Sequence, residues 1–173
     1  MSKKPTSPIE NLPYRLNVGV AVFNRAGRVW IGHRSDIDAE GEGEGHWWQM
    51  PQGGLDKDEE PEKCAFRELY EETSIRSVEL IRVADGWMTY DLPAELIGIS
   101  WKGRYRGQKQ KWFALRFTGD ESEIDVLAPG GGKFKPEFSS WRWEHLARLP
   151  ELVVPFKRKV YEGVVAAFAD IAG

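Results

Sequence analysis

Residues 53–75 read GGLDKDEEPEKCAFRELYEETSI. Eight acidic and three basic side chains fall within positions 56–72, whereas the formal net charge of the whole chain is only −3. Pro61 suits the first turn of a helix, and the pattern after it predicts a helix over residues 61–73. The sequence therefore places a strongly acidic helix directly after a pair of glycines.

Three acidic side chains of this helix share one face. At about 100° per residue, Glu72 lies roughly 40° to one side of Glu68, and Glu71 lies roughly 60° to the other. Carboxylates at this spacing repel one another unless positive charge compensates them. Arg67 can pair with Glu71 at the i, i+4 spacing, but one guanidinium does not neutralise three carboxylates.

A divalent cation would supply the missing positive charge. Oxygen ligands alone select hard ions, here Mg²⁺ or Mn²⁺, and substrate phosphates and water usually complete the shell around Mg²⁺. Gly53 and Gly54 would let the backbone approach a metal or a phosphate closely. The pattern favours a metal site that acts on a phosphorylated substrate over the alternative, a solvated acidic helix face.

The rest of the chain alternates extended and helical patterns. Extended patterns predict strands at 17–23, 28–32, 47–51, 78–83, 86–90, 96–101 and 109–117. A 3.6-residue apolar period predicts a closing amphipathic helix at 155–169, and polar or glycine-rich loops are expected at 35–45 and 119–135. Because strands and helices alternate without an internal repeat, we expect one α/β domain with a mixed sheet over residues 14–173, after a flexible arm at 1–13.

Composition excludes several classes of protein. The chain has 173 residues, enough for one domain with a full core, and no run approaches the roughly 18 apolar residues of a membrane span. The N-terminal MSKKPTSPIE lacks the apolar segment of a secretory signal. Cys64 is the one cysteine and cannot form an internal disulfide, so we expect a cytoplasmic protein. We expect no membrane segment and no added DNA-binding module.

The spacing within residues 53–75 resembles the signature of Nudix hydrolases. The matching positions are Gly53, Glu59, Arg67-Glu68-Leu69, Glu71-Glu72 and Ile75. Ser74 stands where the family usually has glycine, so we expect the turn after the helix either to carry strain or to be capped differently. The resemblance implies a Nudix-type α/β/α sandwich with a central mixed sheet.

Similarity outside the signature covers nearly the whole chain from Tyr14 onward. It is carried by residues 14–19, 48–54, 107–113, 136–143 and 154–158. These segments resemble the branch of the family that contains bacterial RNA pyrophosphohydrolases and dinucleoside polyphosphate hydrolases. The resemblance implies a metal-dependent hydrolase of phosphoric anhydrides. Its reaction would be removal of pyrophosphate from 5′-triphosphorylated RNA, cleavage of dinucleoside polyphosphates such as diadenosine tetraphosphate to ATP and AMP, or both.

The same resemblance implies roles for individual acidic and aromatic side chains. The metal ligands would be Glu68, Glu71, Glu72 and Glu137. The catalytic residues would be Glu71, Glu137 and Arg67. The nucleobase would be held by Tyr90, Phe156 and Lys157. A solvent-facing carboxylate is the alternative role for Glu137, and a core position is the alternative for Phe156.

Four basic residues on or beside predicted strands are candidates for binding substrate phosphates. They are Arg15, Arg34, Lys109 and Lys111. Protection of an edge strand is their alternative role. The stretch 102–111 carries five basic residues and no acidic one. This stretch favours RNA as substrate, because a long RNA offers phosphates beyond the reaction centre.

Two further functions stay open on the sequence alone. A Nudix domain could serve as a non-catalytic nucleotide sensor or regulator, which the intact Glu68, Glu71 and Glu72 disfavour. It could also clean the nucleotide pool, which the similarity outside the signature disfavours. The Gly/Glu-rich segment 38–45 resembles an insertion relative to shorter members of the family, and the resemblance gives it no function.

Overall fold

The computed structural model describes residues 11–35, 47–97 and 100–173. Most of the predicted N-terminal arm, residues 1–10, therefore lies outside the described residues. The same holds for residues 36–45 of the predicted glycine-rich loop.

Eight strands form one mixed sheet. They are β1 (Tyr14–Phe23), β2 (Val29–Arg34), β3 (Trp48–Gln49), β4 (Gln52–Gly54), β5 (Val78–Val83), β6 (Met88–Asp91), β7 (Gly107–Phe117) and β8 (Phe138–Glu144). β1 and β7 run parallel through the centre, with Tyr14 opposite Gly107. The remaining pairings are antiparallel: the order is β3-β2-β1-β7-β5, with β4 on β1, β6 on β7 and β8 on β2.

Helices cover both faces of this sheet. They are α1 (Pro61–Thr73), α2 (Ala94–Ile97), α3 (Leu149–Leu152) and α4 (Arg158–Phe168). Alternate residues of β1 enter two separate cores, so that Val20 packs in one with Leu69 of α1, and Ala21 packs in the other with Phe168 of α4. The predicted α/β/α sandwich with a mixed sheet is confirmed. Within the described ranges, no helix is long and apolar enough to cross a bilayer.

The acidic helix α1 occupies residues 61–73, as the sequence predicts. It ends at Ser74, whose φ of 66° lies in the left-handed region. The Ser74 N–H donates to the Tyr70 carbonyl at 2.9 Å. The Ser74 Oγ donates to the Asp125 carbonyl at 3.1 Å and accepts from the Gly130 N–H at 2.9 Å. Serine therefore keeps the conformation usual for glycine and adds two hydrogen bonds to the following loop, which offset its steric cost.

The structure corrects the predicted secondary structure in several places. The strand predicted at 96–101 is wrong, because Pro93 opens a helical turn that forms α2 and buries Leu96, and a 3₁₀ turn follows at Ser100–Gly103. The strands β4 and β8 were not predicted, because β4 is short and β8 is only partly buried, so that neither shows clear alternation. The closing helix begins at Arg158, since Pro155–Lys157 form a separate 3₁₀ turn.

Close packing requires glycine at position 19 of β1. A Cβ atom at Gly19 would overlap the indole ring of Trp112 on β7. Trp112 is fully buried and packs edge-on against Tyr161, with ring centroids 5.7 Å apart, so the indole has little room to move. The parallel pair at the centre of the sheet therefore depends on the absence of a side chain at this position.

We expect Gly19→Ala to lower the free energy of unfolding by about 1–3 kcal/mol, because the added methyl group overpacks a rigid aromatic core. Denaturant titration would measure the change. The matched control is Leu16→Ala on the same strand, where the native side chain is 48% exposed; its effect should stay within about 0.5 kcal/mol. Equal stabilities for the two variants would contradict the packing argument.

Candidate active site

A cleft of about 750 Å³ lies beside the first residues of β1 and β7. Its walls come from β1, β2, β3, β4, β6, β7, α1 and α2, together with Glu137 and the turns at Ser100–Gly103 and Pro155–Lys157. Both helical layers of the sandwich therefore contribute to it: α1 supplies acidic side chains, and the segment that leads into α4 supplies an aromatic and a basic one. The cleft is the place where most of the predicted site residues meet.

Glu68 and Glu72 of α1 both line the cleft. Glu68 lies against the backbone of Gly53, where a Cβ atom would overlap the carboxyl group and displace it. Glu72 is 7% exposed and accepts a hydrogen bond from the Gln52 N–H at 3.3 Å. One turn of helix and the short strand β4 thus aim two carboxyl groups at one side of the cleft.

Burial makes these two carboxyl groups difficult to ionise. Desolvation raises the pKa of Glu68 to about 7, with the nearby Glu71 acting in the same direction. Desolvation also raises the pKa of Glu72 well above its ordinary value, and the charges of Glu68 and Glu137 raise it further. A bound cation would favour the ionised forms, because an opposite charge compensates both the desolvation and the mutual repulsion.

Arg67 carries the balancing positive charge on the other side of the acidic cluster. Its Nε and Nη2 donate to Glu59 at 2.7 and 2.8 Å, and its Nη1 donates to Glu68 and to Glu71, each at 3.0 Å. Its Nη2 also donates to the Gly54 carbonyl at 3.1 Å. Hydrogen bonds from Arg67 hold the pKa of Glu59 down to about 2. The expected pairing of Arg67 with Glu71 is confirmed, and Glu71 lies beside Arg67 rather than among the cleft-lining residues.

Cys64 lies beneath this arginine, fully buried in α1. Its thiol donates to the Gly54 carbonyl at a sulfur–oxygen distance of 3.5 Å, and Nη2 of Arg67 lies at the same distance from the sulfur. Burial raises the pKa of the Cys64 thiol to about 12. The small neutral side chain lets β4 approach the helix closely.

The donor set of the cleft fits a hard divalent cation. Glu68 and Glu72 supply carboxylate oxygens, and Glu137 stands close enough for its charge to act on Glu72. Among the described residues, no three His, Cys, Asp or Glu side chains are grouped tightly enough to enclose an ion by themselves. Mg²⁺ is commonly held by only one or two carboxylates, with phosphate oxygens and water as its other ligands.

Five of the seven predicted substrate contacts line the cleft. They are Arg15, Arg34, Tyr90, Phe156 and Lys157. The rings of Tyr90 and Phe156 lie 5.7 Å apart at an interplanar angle of 40°. Lys157 is buried and donates to Gln49 Oε1 at 3.2 Å. Phe156 sits in the 3₁₀ turn before α4, so it contributes to the cleft wall as well as packing against the core.

Lys109 and Lys111 do not line the cleft, and the structure places them elsewhere. Alternation along β7 turns Gln108 and Gln110 toward the buried side, so the two lysines project from the opposite face. The ammonium group of Lys111 donates to the Ala84 carbonyl at 2.7 Å. That of Lys109 lies 5.8 Å from the ring centroid of Trp87. The same alternation in GQKQKWF, residues 107–113, is the signal by which the two faces could have been separated.

Sequence reasoning missed a polar network that forms the floor of the cleft. Gln108 Oε1 accepts from the Tyr90 hydroxyl at 2.7 Å and from Gln110 Nε2 at 3.1 Å. Gln110 Nε2 also donates to Asn17 Oδ1 at 2.9 Å. Isolated glutamines have no charge pattern to mark them. Only the pairing of β1 with β7 brings these amides together beneath the substrate-sized space.

Comparison with known proteins agrees with this architecture. A family model described as the NUDIX domain matches residues 13–164. An RNA pyrophosphohydrolase of Azorhizobium caulinodans is 59% identical over 168 residues, covering 95% of this chain and 97% of that protein. One from a Bradyrhizobium species is 58% identical over 164 residues, with coverage of 95% and 97%.

The fold is also found among solved structures. The dihydroneopterin triphosphate pyrophosphohydrolase of E. coli superposes with a TM-score of 0.60 over 89% of this chain and 98% of that one, and its 20% sequence identity limits the likeness to the fold. The family match spans most of the chain, and the sequence identities to the two relatives are far above this value. The chain therefore belongs to the Nudix family and is a Nudix hydrolase.

Proposed function

We propose that this enzyme removes pyrophosphate from the 5′ end of triphosphorylated RNA, with Mg²⁺ or Mn²⁺ as cofactor. The observation that carries the proposal is that half-buried Glu68 and buried Glu72 line the same cleft as Arg15 and Arg34. Carboxylates can hold the metal ion while arginines bind the phosphate oxygens, so such a cleft suits a metal-bound phosphate chain. The name shared by the relatives from Azorhizobium caulinodans and Bradyrhizobium gives further support.

The metal would be held by Glu68 and Glu72, with Glu71 and Glu137 as further ligands. When bound there, Mg²⁺ or Mn²⁺ supplies charge neutralisation for the phosphate chain and makes water more acidic. Glu71 would first have to exchange its hydrogen bond to Arg67 for the ion. Arg67 remains paired with Glu59 during such a change, so the helix keeps its charge balance.

The protein's own side chains would then orient the substrate. Arg15 and Arg34 would bind non-bridging phosphate oxygens, and Tyr90 and Phe156 would contact the nucleobase through their ring faces. Exposed Glu137 at the cleft would accept the proton of the attacking water. Attack forms a new phosphorus–oxygen bond and breaks the anhydride bond, so that pyrophosphate leaves and a 5′-monophosphate remains on the RNA.

Cleavage of diadenosine tetraphosphate to ATP and AMP would use the same phosphate site. Product analysis with triphosphorylated RNA and diadenosine tetraphosphate side by side, with Mg²⁺ and with Mn²⁺, tests the proposal. We expect pyrophosphate from the RNA. Absence of turnover on both substrates would instead favour the non-catalytic sensor.

One prediction of the proposed function concerns the metal ligands. Glu72→Gln keeps the side-chain volume but removes the negative charge, so we expect the turnover of triphosphorylated RNA to fall by at least about 100-fold in a folded protein. The matched control is Glu62→Gln, which makes the same exchange at an exposed position of the same helix and should leave turnover unchanged. A folded Glu72→Gln protein with normal turnover would falsify the assigned metal site.

Another prediction concerns the effect of the metal ion on the stability of the protein. Mg²⁺ or Mn²⁺ at millimolar concentration should raise the melting temperature, since an ion that binds only the folded state stabilises it by linkage. The rise should be lost in Glu72→Gln and kept in Glu62→Gln. Differential scanning calorimetry would measure the melting temperatures of the wild-type protein and the two variants, with and without the ion. A nucleotide-free protein that shows no rise would mean that the ion binds only together with substrate phosphate.

A further prediction distinguishes RNA from dinucleoside polyphosphates as substrates. Lys102 and Arg104 are exposed and closely follow the cleft residue Trp101 in the chain. Because only RNA has phosphates beyond the first nucleotides, Lys102→Ala combined with Arg104→Ala should raise the KM for triphosphorylated RNA and flatten its dependence on salt. The KM for diadenosine tetraphosphate should not change. Equal impairment on both substrates would place these residues at the shared phosphate site, and Arg25→Ala in the β1–β2 turn serves as a remote control.

A further inference from the structure

The guanidinium group of Arg15 lies in the cleft between the ring of Trp101 and the backbone of Gly54. Its Cζ lies 5.6 Å from the centroid of the Trp101 ring. Its nitrogens also lie against the backbone of Gly54, where a Cβ atom would overlap them. Within the described residues, Arg15 forms neither a hydrogen bond nor an ion pair, although it is half-buried. Its donors are therefore available to a ligand, while its position is already fixed.

This position is next to the acidic side of the cleft. Gly53 contacts the Glu68 carboxyl group, and the following residue, Gly54, contacts the Arg15 guanidinium. Arg15 of β1 and Glu68 of α1 therefore lie against consecutive residues of β4, and both line the cleft. A phosphate that shares a cation with Glu68 would therefore lie in the same cleft as the Arg15 guanidinium.

The turn that carries Trp101 is unusual in its backbone. Trp101 and Lys102 have φ values of 50° and 57°, in the left-handed region that disfavours residues other than glycine. The Arg104 N–H donates to the Trp101 carbonyl at 3.2 Å, and Tyr105 packs edge-on against the indole with ring centroids 6.1 Å apart. The turn thus holds the indole at the cleft in spite of an unfavourable conformation.

We propose that Trp101 is a positioning residue that orients the Arg15 guanidinium for the phosphate chain of the substrate. The inference rests on the proposed function, since it assigns a role in binding the same phosphates. An aromatic face attracts a guanidinium without using any of its N–H donors, so the planar group stays oriented while all its hydrogen bonds remain for phosphate oxygens. A side chain that is ordered beforehand loses less conformational freedom on binding, which raises affinity.

The test is a double-mutant cycle on Arg15→Ala, Trp101→Ala and the combined variant in the full chain. Two quantities are measured: the kcat and KM for triphosphorylated RNA, and the Kd for methylenediphosphonate with Mg²⁺ by calorimetry. Methylenediphosphonate has no nucleobase and is not hydrolysed, so it reports phosphate binding alone. We expect Trp101→Ala to raise the KM and the Kd by roughly 3- to 30-fold, with kcat changed much less.

The combined variant should bind no more weakly than Arg15→Ala, because Trp101 acts through Arg15. Trp101→Phe retains an aromatic face and should restore most of the affinity. Trp87→Ala is the matched control, since Trp87 makes the same kind of contact with Lys109 outside the cleft and its loss should change neither quantity.

Two results would overturn the proposal. Additive losses in the combined variant would show that Trp101 acts independently of Arg15. A normal Kd for methylenediphosphonate in Trp101→Ala would show that the indole contacts another part of the substrate or none. If the wild-type protein does not hydrolyse RNA, the proposed function fails, but the cycle on methylenediphosphonate still decides whether Trp101 and Arg15 are coupled.

Discussion

One guanidinium group, that of Arg67, allows the acidic face of α1 to exist. It donates at once to Glu59, Glu68 and Glu71, and to the carbonyl of Gly54 in β4. Without these bonds, several carboxylates on one face of a helix would repel one another and oppose folding. Because β4 pairs with β1, the same group also fixes the distance between the helix and the centre of the sheet. Arg67 therefore both compensates three of the acidic side chains and ties α1 to β4.

Arg67 satisfies only part of the negative charge. Glu59 and Glu71 are paired with it, whereas Glu72 is buried on the far side, where its charge is opposed by desolvation and by Glu68. Replacement of Glu72 by a neutral group would relieve this conflict. Retention of such an unfavourable group is typical of sites where function and stability compete. The excess of negative charge, more than any one distance, is what distinguishes this cleft from an ordinary surface groove.

Local patterns predicted local structure, and tertiary pairing decided the rest. The helix at 61–73, the pairing of Arg67 with Glu71 and the special turn at Ser74 all follow from residues within one or two helical turns. The placement of Lys109 and Lys111 outside the cleft could not be predicted in this way. Alternation shows that a strand has two faces, but which face lies under the cleft depends on the distant pairing of Asn17 with Gln110. Likewise β8 exists because it pairs with β2. In this pair Ser140 lies opposite His33, which precedes it by more than 100 residues in the chain.

The burial of Cys64 has a kinetic consequence. Its thiol is inaccessible and, with a pKa near 12, almost wholly protonated at neutral pH, so alkylating reagents and peroxide can react only when α1 separates from β4. That separation is the same local opening that would dismantle the contacts of Arg67. The rate of thiol labelling in the intact protein therefore measures how often α1 separates from β4, and it does so without any substrate or spectroscopic probe. The only cysteine of the chain is in this sense a built-in reporter on the dynamics of the cleft.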